Sequence, residues 1–314
     1  MSIFISIASY RDPELMRTIN SAIENADSPD SLVFGVVIQD LIEDIPDYQE
    51  YQNMKVIKMH PKYARGVGYA RAKAMELYDN EDYYLQIDSH TRFEKGWDSI
   101  CISQYQQAQD ISKNKKIILS YFPPPFYVEL NKSISFPSKS LDRPPYPTKQ
   151  WPILTDRKEW TAKRIELSNK NVPELSATVL AGFIFATGDI VKEVPYDPEI
   201  AFFGEEICFA MRSWTRGWDI YSPCQTILYH FYSREGYKKV WKDRNLRVAS
   251  WKEIEELSIQ KQKNVLCGIE QGIYGAGNYR HLKLYQKFCG IDFKHIYGLT
   301  NQEDDSTIEI ESQG

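Results

Sequence analysis

Several features that define common protein classes are missing from this 314-residue sequence. It contains no apolar run of about 20 residues, the length that crosses a bilayer. Its apolar start, residues 1–9, is too short for a signal peptide and has no basic leading segment. A formal net charge of −5 provides no basic surplus for general nucleic-acid binding. We therefore predict a cytoplasmic protein with no transmembrane segment and no nucleic-acid partner.

Cysteines are few and scattered, and no two of them form a CxxC pair. This pattern is unlike a zinc cluster or a disulfide framework. It is typical of reduced thiols in a protein core. The five positions are Cys101, Cys208, Cys224, Cys267 and Cys289.

Aromatic residues, by contrast, are plentiful, with 21 tyrosines and 7 tryptophans. Such rings often line sugar or nucleoside sites, although most of them belong to the core. The length of the chain allows one large α/β domain or two smaller ones.

Strand and helix patterns alternate from the first residues. Residues 3–8, 31–39 and 54–59 have strand patterns, and a helix is predicted to begin at Asp12-Pro13-Glu14, with Asp12 as its cap and Pro13 at its first position. Such alternation predicts an α/β fold, in which helices flank a mostly parallel, Rossmann-like central sheet.

The segment from Tyr83 to His90 reads as a buried strand that ends in polar residues. Because residues two apart in a strand project to the same side, the Asp88 carboxylate and the His90 imidazole are expected to converge. These ligands suit Mn²⁺ or a similar cation and leave coordination positions open for phosphate oxygens. The alternative is that Asp88 caps the following helix and His90 lies on the surface.

Two arginines and two glycines surround the start of a helix between residues 63 and 78. Arg65 and Arg71, together with backbone amides at Gly66 and Gly68, could bind an anion such as a diphosphate. A solvated helix start with exposed arginines fits the pattern equally well.

Four later residues are candidates for the same site. Gly182 interrupts a buried strand, which often marks the close approach of a ligand or of another backbone segment. Glu205 and Glu206 open a helix that runs to about residue 216; they either answer the helix dipole or accept hydrogen bonds from sugar hydroxyls. His230 ends a predicted strand over 218–229 and is either a third metal ligand or a packed polar residue.

The remaining segments are interpreted mainly from their composition. Residues 123–152 hold eight of the sixteen prolines, which predicts a long loop over a cleft, an acceptor-side lid or a linker. Residues 238–260 and 281–288 have helical patterns. Residues 301–314 are acidic and predict a frayed tail.

Read in order, these motifs resemble one known family over roughly residues 1–300. The chain is similar to the hydroxyproline polypeptide N-acetylglucosaminyltransferases of glycosyltransferase family 60, which have the GT-A fold. The matching words are Ile7-Ala8-Ser9-Tyr10-Arg11-Asp12, Ala64-Arg65-Gly66 with Ala70-Arg71, Gln86-Ile87-Asp88-Ser89-His90-Thr91-Arg92-Phe93 with Gly96-Trp97-Asp98, Phe203-Gly204-Glu205-Glu206, Trp214-Thr215-Arg216-Gly217, Ser222-Pro223, His230-Phe231-Tyr232, and Tyr274-Gly275 with Gly290-Ile291-Asp292-Phe293.

A more distant resemblance links the chain to the polypeptide N-acetylgalactosaminyltransferases. They share an Asp-Ser-His metal motif, a glycine-containing strand like the one around Gly182, a glutamate at a helix start and a later metal-binding histidine. The departures are Phe183 for a second glycine and Phe202-Phe203 for a Trp-Gly pair. These departures affect the choice of donor sugar, not the metal site.

The resemblance implies roles for individual residues. Asp88, His90 and His230 would bind Mn²⁺ (or Mg²⁺) against the diphosphate of a UDP-sugar. Glu205 and Glu206 would be the catalytic residues, with positioning of the sugar favoured over a role as base or nucleophile. The implied donor-binding residues are Ser9, Tyr10, Arg11, Arg65, Arg71, Asp88, Ser89, Gly182, Tyr232 and Arg234.

The implied activity is retaining transfer of N-acetylglucosamine from UDP-GlcNAc to a hydroxyl of a protein side chain or a glycan. Alternatives are a UDP-GalNAc-dependent transferase, a non-catalytic UDP-sugar-binding protein and a metal-dependent phosphohydrolase. The expected organisation is a catalytic domain over 1–235, a helical region over 236–300 and the tail. Within the domain, 1–122 is expected to bind nucleotide, and 153–235, beyond the proline-rich loop, to face sugar and acceptor.

Overall fold

The computed structural model describes residues 1–41, 43, 53–128, 134–136, 146–243, 246 and 249–299. Its strands are β1 (Ile3–Tyr10), β2 (Leu32–Gln39), β3 (Met54–Met59), β4 (Tyr83–Asp88), β5 (Thr91–Phe93), β6 (Ile117–Ser120), β7 (Tyr127–Val128), β8 (Ile134–Ser135), β9 (Thr148–Leu154), β10 (Trp160–Glu166), β11 (Glu174–Leu175), β12 (Phe183–Thr187), β13 (Asp219–Ser222) and β14 (Leu228–His230). The helices are α1 (Leu15–Asn25), α2 (Val67–Met75), α3 (Trp97–Ser112), α4 (Asp189–Glu193), α5 (Glu205–Thr215), α6 (Trp251–Leu266), α7 (Leu282–Cys289) and α8 (Phe293–Ile296).

Eight strands form the central sheet, in the order β11-β13-β6-β12-β4-β1-β2-β3. Strands β3, β2, β1 and β4 are parallel neighbours, and β13 is parallel to β6. Only β12, between β4 and β6, and the short β11 run antiparallel to their neighbours in this sheet. The predicted α/β class with a mostly parallel sheet is confirmed.

Helices cover both faces of the sheet because its strands are apolar on both sides. In β1, Ile5 and Ile7 join the core beneath α1 and α3, whereas Phe4 projects to the opposite face and packs in the core with α4 and α5. Two separate layers of helix therefore bury the strands.

The carboxyl ends of β1, β2 and β4 lie side by side at one edge of this sheet. Ala8 pairs with Asp88, and Tyr10 pairs with Gln39. Strand alternation places these side chains on the face that α2 covers, opposite the α1 layer. Open α/β sheets bind ligands at this kind of edge.

A helical region packs on the outer side of α5. Met211 of α5, Val265 of α6, Tyr285 of α7 and Phe293 of α8 share one buried cluster. The helix predicted over 238–260 was wrong at its start, because residues 238–243 are irregular with a turn at 240–242, and α6 begins at Trp251. Residues 244, 245, 247 and 248 lie outside the described part. The domain boundaries themselves stay a prediction, and the tail at 301–314 lies outside the described residues.

Two other predictions about the chain need correction. The strand expected over 218–229 is two strands: β13 joins the main sheet, whereas β14 pairs with β5. The proline-rich segment is not all loop, since β9 runs through Pro152 and forms an antiparallel pair with β10. Proline is tolerated there because β9 belongs to a sheet of only two strands and is therefore an edge strand. Residues 129–133 and 137–145 lie outside the described part.

Over the ranges that the structure describes, the longest helices are too short and too polar to cross a membrane.

The start of α2 is fitted closely against residues 197–201. A Cβ atom added at Gly68 would lie 2.1 Å from the backbone oxygen of Ile200. A backbone atom cannot rotate aside as the end of a flexible side chain can. We expect Gly68→Ala to lower the free energy of unfolding by about 2 kcal/mol, measured by urea denaturation. As a matched control, Gly182→Ala meets no atom closer than 3.4 Å and should change stability by less than about 0.5 kcal/mol. Equal stability of the two variants would contradict the close fit.

Candidate functional site

A cleft of about 260 Å³ opens at the carboxyl edge of the sheet. The ends of β1, β2 and β4 form its floor through Tyr10, Gln39 and Asp88. Its walls come from the start of α2, the turn before β12, the start of α5 and residues 234–241. Three of these four walls, and Arg234 of the fourth, were predicted from sequence as parts of the site.

Pairing of β5 with β14 brings His230 to the Asp88 strand. In this two-stranded ladder His230 is the partner of Thr91, which follows His90 directly. The two imidazole rings have centroids 4.5 Å apart, and the Phe231 amide donates a hydrogen bond to the His90 carbonyl oxygen. His90 and His230 are 140 positions apart in the sequence, and the three residue pairs of this ladder bring them together.

Asp88, His90 and His230 form a cluster in which one ligand atom from each lies within 4.8 Å of the others. Strand alternation is not the reason, because β4 ends at Asp88 and His90 lies in the bend that follows. The bend and the β5–β14 ladder together produce the convergence. Asp88 does not cap a helix, and His90 is 7% exposed, so the alternative interpretation of this motif was wrong.

The donor set of this cluster fits a divalent cation. One carboxylate and two imidazoles are suitable ligands for Mn²⁺-like ions, and three protein ligands leave positions for other oxygens. Burial lowers the pKa of His230 to about 4, so its imidazole is neutral, the form that binds metal. Its Nδ1 atom is buried without a hydrogen-bond partner. The residues present therefore suit a metal.

Arg71 joins the carboxylates of two site segments. Its guanidinium, 3% exposed, donates to Asp88 Oδ1 at 2.9 Å and also forms an ion pair with Glu205. Burial pushes the pKa of Glu205 upward, and the Arg71 charge opposes that shift. Arg71 therefore lines the cleft, as predicted, with its charge directed to protein carboxylates.

Glu206 has a different environment from its neighbour. Its carboxylate accepts a hydrogen bond of 2.8 Å from the backbone amide of Ala181, next to Gly182. Burial, and then the nearby negative charge of Glu205, raise the pKa of Glu206 to about 8. At neutral pH Glu206 is thus largely protonated and able to donate a hydrogen bond into the cleft.

Sequence reasoning missed Asp12 as a site residue. Asp12 was predicted to cap α1, but the helix begins at Leu15 with Glu14 before it. One oxygen of Asp12 does accept the Glu14 amide hydrogen at 3.0 Å. The other lies 2.8 Å from His90 Nδ1 and 2.8 Å from an Arg234 nitrogen. The sequence did contain a sign of the contact between Asp12 and Arg234, because an Asp follows the first strand and an Arg closely follows His230.

Three predicted donor-binding residues lie at the end of β1 or directly after it, and each has different surroundings. Tyr10 lines the cleft, and its hydroxyl contacts Asp243 at 3.2 Å. Ser9 alternates to the opposite face of β1 and is buried there. Arg11 has a positive φ of 47° and pairs with Asp40 and Asp243, beside the cleft rather than in its lining.

The other predicted donor-binding residues also separate into two groups. Ser89, Gly182 and Arg234 line the cleft. Arg65 is exposed and lies over the Tyr69 ring, and the Tyr232 hydroxyl donates to the Pro123 carbonyl oxygen at 2.9 Å, so neither is in the lining. Between the two glycines whose amides were predicted to bind an anion, the Val67 amide donates to the Ala201 carbonyl oxygen.

Residues 238–241 add a wall that sequence reasoning assigned to a helix. Lys238 and Lys239 bring positive charge to the lining of the cleft, and Trp241 packs against Phe202 with ring centroids 4.7 Å apart. Their spacing gave no signal for a site, because a loop has no fixed periodicity.

Known protein families and solved structures resemble this chain. A protein-family model described as Glycosyltransferase (GlcNAc) matches residues 2–53 and 47–295, which is nearly the whole described chain. The chain belongs to this glycosyltransferase family. None of the curated proteins matches the chain in a sequence search.

Solved structures support the fold of this family member. GalNAc-T7, solved with UDP, GalNAc and Mn²⁺, superposes with a TM-score of 0.61 at 16% identity, covering 95% of this chain. The likeness establishes a GT-A glycosyltransferase fold. The S. aureus protein TarS gives a TM-score of 0.46 at 14% identity over 84% of this chain, too low to argue from. This chain spans 56% of the GalNAc-T7 chain and 44% of TarS.

Arg71 provides the first test of the site. Arg71→Met would leave two carboxylates, Asp88 and Glu205, without their shared cation in a buried setting. We expect the free energy of unfolding to fall by about 3 kcal/mol, measured by urea denaturation at pH 7. Arg65→Met removes the exposed arginine of the same segment and should cost about 0.5 kcal/mol. Similar losses in the two variants would show that the Arg71 ion pairs contribute little.

Glu206 provides a test by pH. Its folded pKa of about 8 lies above the ordinary value of 4.5, so the folded protein holds a proton that the unfolded chain releases. This stabilisation is fully present below about pH 4.5 and is lost as the pH rises through about 8. Glu206→Gln keeps an acceptor for the Ala181 amide but cannot ionise. Relative to wild type, it should gain on the order of 2 kcal/mol in unfolding free energy between pH 5 and pH 8. Parallel pH profiles would contradict the raised pKa.

Proposed function

We propose that this family member is a metal-dependent, retaining glycosyltransferase that moves N-acetylglucosamine from UDP-GlcNAc to a hydroxyl group. The observation that carries this proposal is the convergence of Asp88, His90 and His230 in the cleft at the carboxyl edge of a GT-A sheet. Membership of a family described by GlcNAc transfer supports the donor sugar.

The metal would be bound by Asp88, His90 and His230, with Mn²⁺ preferred over Mg²⁺ because two of the ligands are imidazoles. When bound, the cation offsets the negative charge that develops on the departing diphosphate. Arg234 lies beside this cluster, 3.0 Å from His90 Nδ1, and would donate to phosphate oxygens, while Lys238 and Lys239 add positive charge to the lining of the same cleft.

Nucleoside and sugar occupy different parts of the cleft in this proposal. Tyr10 and Gln39, at the ends of β1 and β2, border the region for uracil and ribose, and Trp241 offers a ring for stacking. Gly182 leaves open space beside Asp88, since an added Cβ would lie 3.4 Å from its carboxylate. Glu206, with its proton, donates to a sugar hydroxyl next to that space.

The proposed reaction retains the configuration at the anomeric carbon. The bond between that carbon and the diphosphate oxygen breaks, and the acceptor oxygen forms its bond on the same face. The acceptor proton passes to the departing phosphate, so no protein base is required. Glu205 is held by Arg71 and orients this wall of the cleft, whereas a base would need free access to the acceptor hydroxyl.

For the acceptor, the proposed class is a hydroxylated polypeptide side chain, with a glycan hydroxyl as the competing class. Resemblance to the hydroxyproline polypeptide N-acetylglucosaminyltransferases supports the polypeptide. The proposed catalytic unit is 1–235, with 236–300 bracing α5 from behind.

The deciding experiment incubates the protein with Mn²⁺ and a panel of UDP-sugars and follows UDP release. We expect the highest release with UDP-GlcNAc, and loss of at least 90% of it when Mn²⁺ is chelated, because the leaving charge is then unbalanced. Highest release with UDP-GalNAc would replace the proposed donor. Phosphate release from simple esters would indicate a phosphohydrolase. Binding of a UDP-sugar that releases no UDP, with or without acceptors, would indicate a binding protein.

His230→Ala serves as the metal control in the same assay. Arg71 still pairs with Asp88 when His230 and its contact with that carboxylate are removed, so the fold should be retained in circular dichroism. Titration calorimetry should then show loss of Mn²⁺-dependent UDP binding. Undiminished metal dependence would exclude His230 from the site.

A further inference from the structure

We propose that Asp12 is a positioning residue for the metal site: its carboxylate fixes the His90 tautomer that presents Nε2 to the cation, and it anchors Arg234 beside it. The inference rests on the proposed function in one respect, that the cluster binds a divalent cation.

One buried oxygen collects the relevant contacts. The Asp12 side chain is 1% exposed, and its Oδ2 lies 2.8 Å from Ser89 Oγ, 2.8 Å from His90 Nδ1 and 2.8 Å from Arg234 Nη1. Its Oδ1 accepts the Glu14 amide hydrogen at 3.0 Å, which fixes the rotation of the carboxylate. The group is therefore held from both oxygens and has little freedom to turn away.

These contacts determine which nitrogen of His90 carries the proton. An ionised carboxylate has only lone pairs to offer, so an atom 2.8 Å from it must bring a hydrogen. Nδ1 of His90 is then the protonated nitrogen, and Nε2 has a free lone pair. In the opposite tautomer, Oδ2 and Nδ1 would face each other with two lone pairs at this distance.

Arg234 could in principle favour that opposite tautomer, because its Nη1 lies 3.0 Å from His90 Nδ1 and could donate to it. The shorter contact of the same Nη1 is to Asp12 Oδ2, at 2.8 Å. Arg234 and His90 are thus two donors that share one acceptor. Hydrogen bonds from metal-binding histidines to carboxylates recur in metal sites because they orient the ring and raise the basicity of the ligand nitrogen.

The three partners come from separate parts of the fold. Asp12 follows β1, His90 follows β4 and Arg234 follows β14. One carboxylate therefore aligns a metal ligand and a cation beside the phosphate region, on segments that are not neighbours in sequence.

Asp12→Asn tests the idea with almost no change of shape. The new amide can donate to His90 Nδ1, which permits the tautomer with the proton on Nε2. We expect Mn²⁺ to bind the full-length variant about 10- to 100-fold more weakly than wild type in calorimetry without nucleotide. Asp40→Asn removes a carboxylate that pairs with Arg11 and accepts the Leu41 amide hydrogen, and its Mn²⁺ affinity should stay within about twofold of wild type.

Asp12→Glu and a direct reading of the tautomer separate positioning from a structural role. Asp12→Glu retains an acceptor and should recover part of the Mn²⁺ affinity that Asp12→Asn loses. In metal-free wild-type protein with ¹⁵N-labelled histidine, NMR should show the His90 proton on Nδ1, assigned by loss of the signals in His90→Gln. This measurement needs no Asp12 variant to fold.

The outcomes distinguish this inference from the proposed function. A wild-type His90 with its proton on Nε2, or equal Mn²⁺ affinity of wild type and Asp12→Asn, would overturn the role of Asp12 and leave the transferase proposal intact. Wild-type protein that binds no Mn²⁺ at all would overturn both the metal site and the positioning residue.

Discussion

The site depends on how the Asp88 carboxylate is held. One oxygen accepts from Arg71 at 2.9 Å, and the other lies 3.0 Å from His230 Nε2. Burial alone would raise the pKa of Asp88, but the hydrogen bond with His230 and the charge of Arg71 hold it well below its usual range. A charged carboxylate is thereby maintained in a partly buried position, which is what a cation site requires.

The fold supplies this arrangement through register rather than through local motifs. Pairing of Ala8 with Asp88 fixes the height of the two strand ends, and pairing of His230 with Thr91 fixes the distance across the cleft. A slip of one residue in either ladder would turn the functional side chain to the opposite face. The apolar cores on both sides of the sheet make such a slip costly, and so they protect the site.

The charged side chains of the cleft form two groups of ion pairs. Asp88 and Glu205 share Arg71, while Asp12 shares its oxygen with His90 and Arg234. Buried ions need such partners, because their desolvation is otherwise too costly. Glu206, which accepts only the Ala181 amide among the described contacts, becomes protonated instead. Two adjacent glutamates thus have different charge states and, in the proposed reaction, different tasks.

The sequence alone determined the α/β class, the GT-A resemblance and the three members of the candidate metal cluster, because strand patterns and short motifs carry this information. Only the tertiary structure decided that Asp12 faces His90, that Arg71 pairs with Glu205, that Ser9 turns away and that residues 238–241 form a wall. Contacts between distant segments arise from strand register and packing, and no local spacing encodes which buried charge will meet which partner.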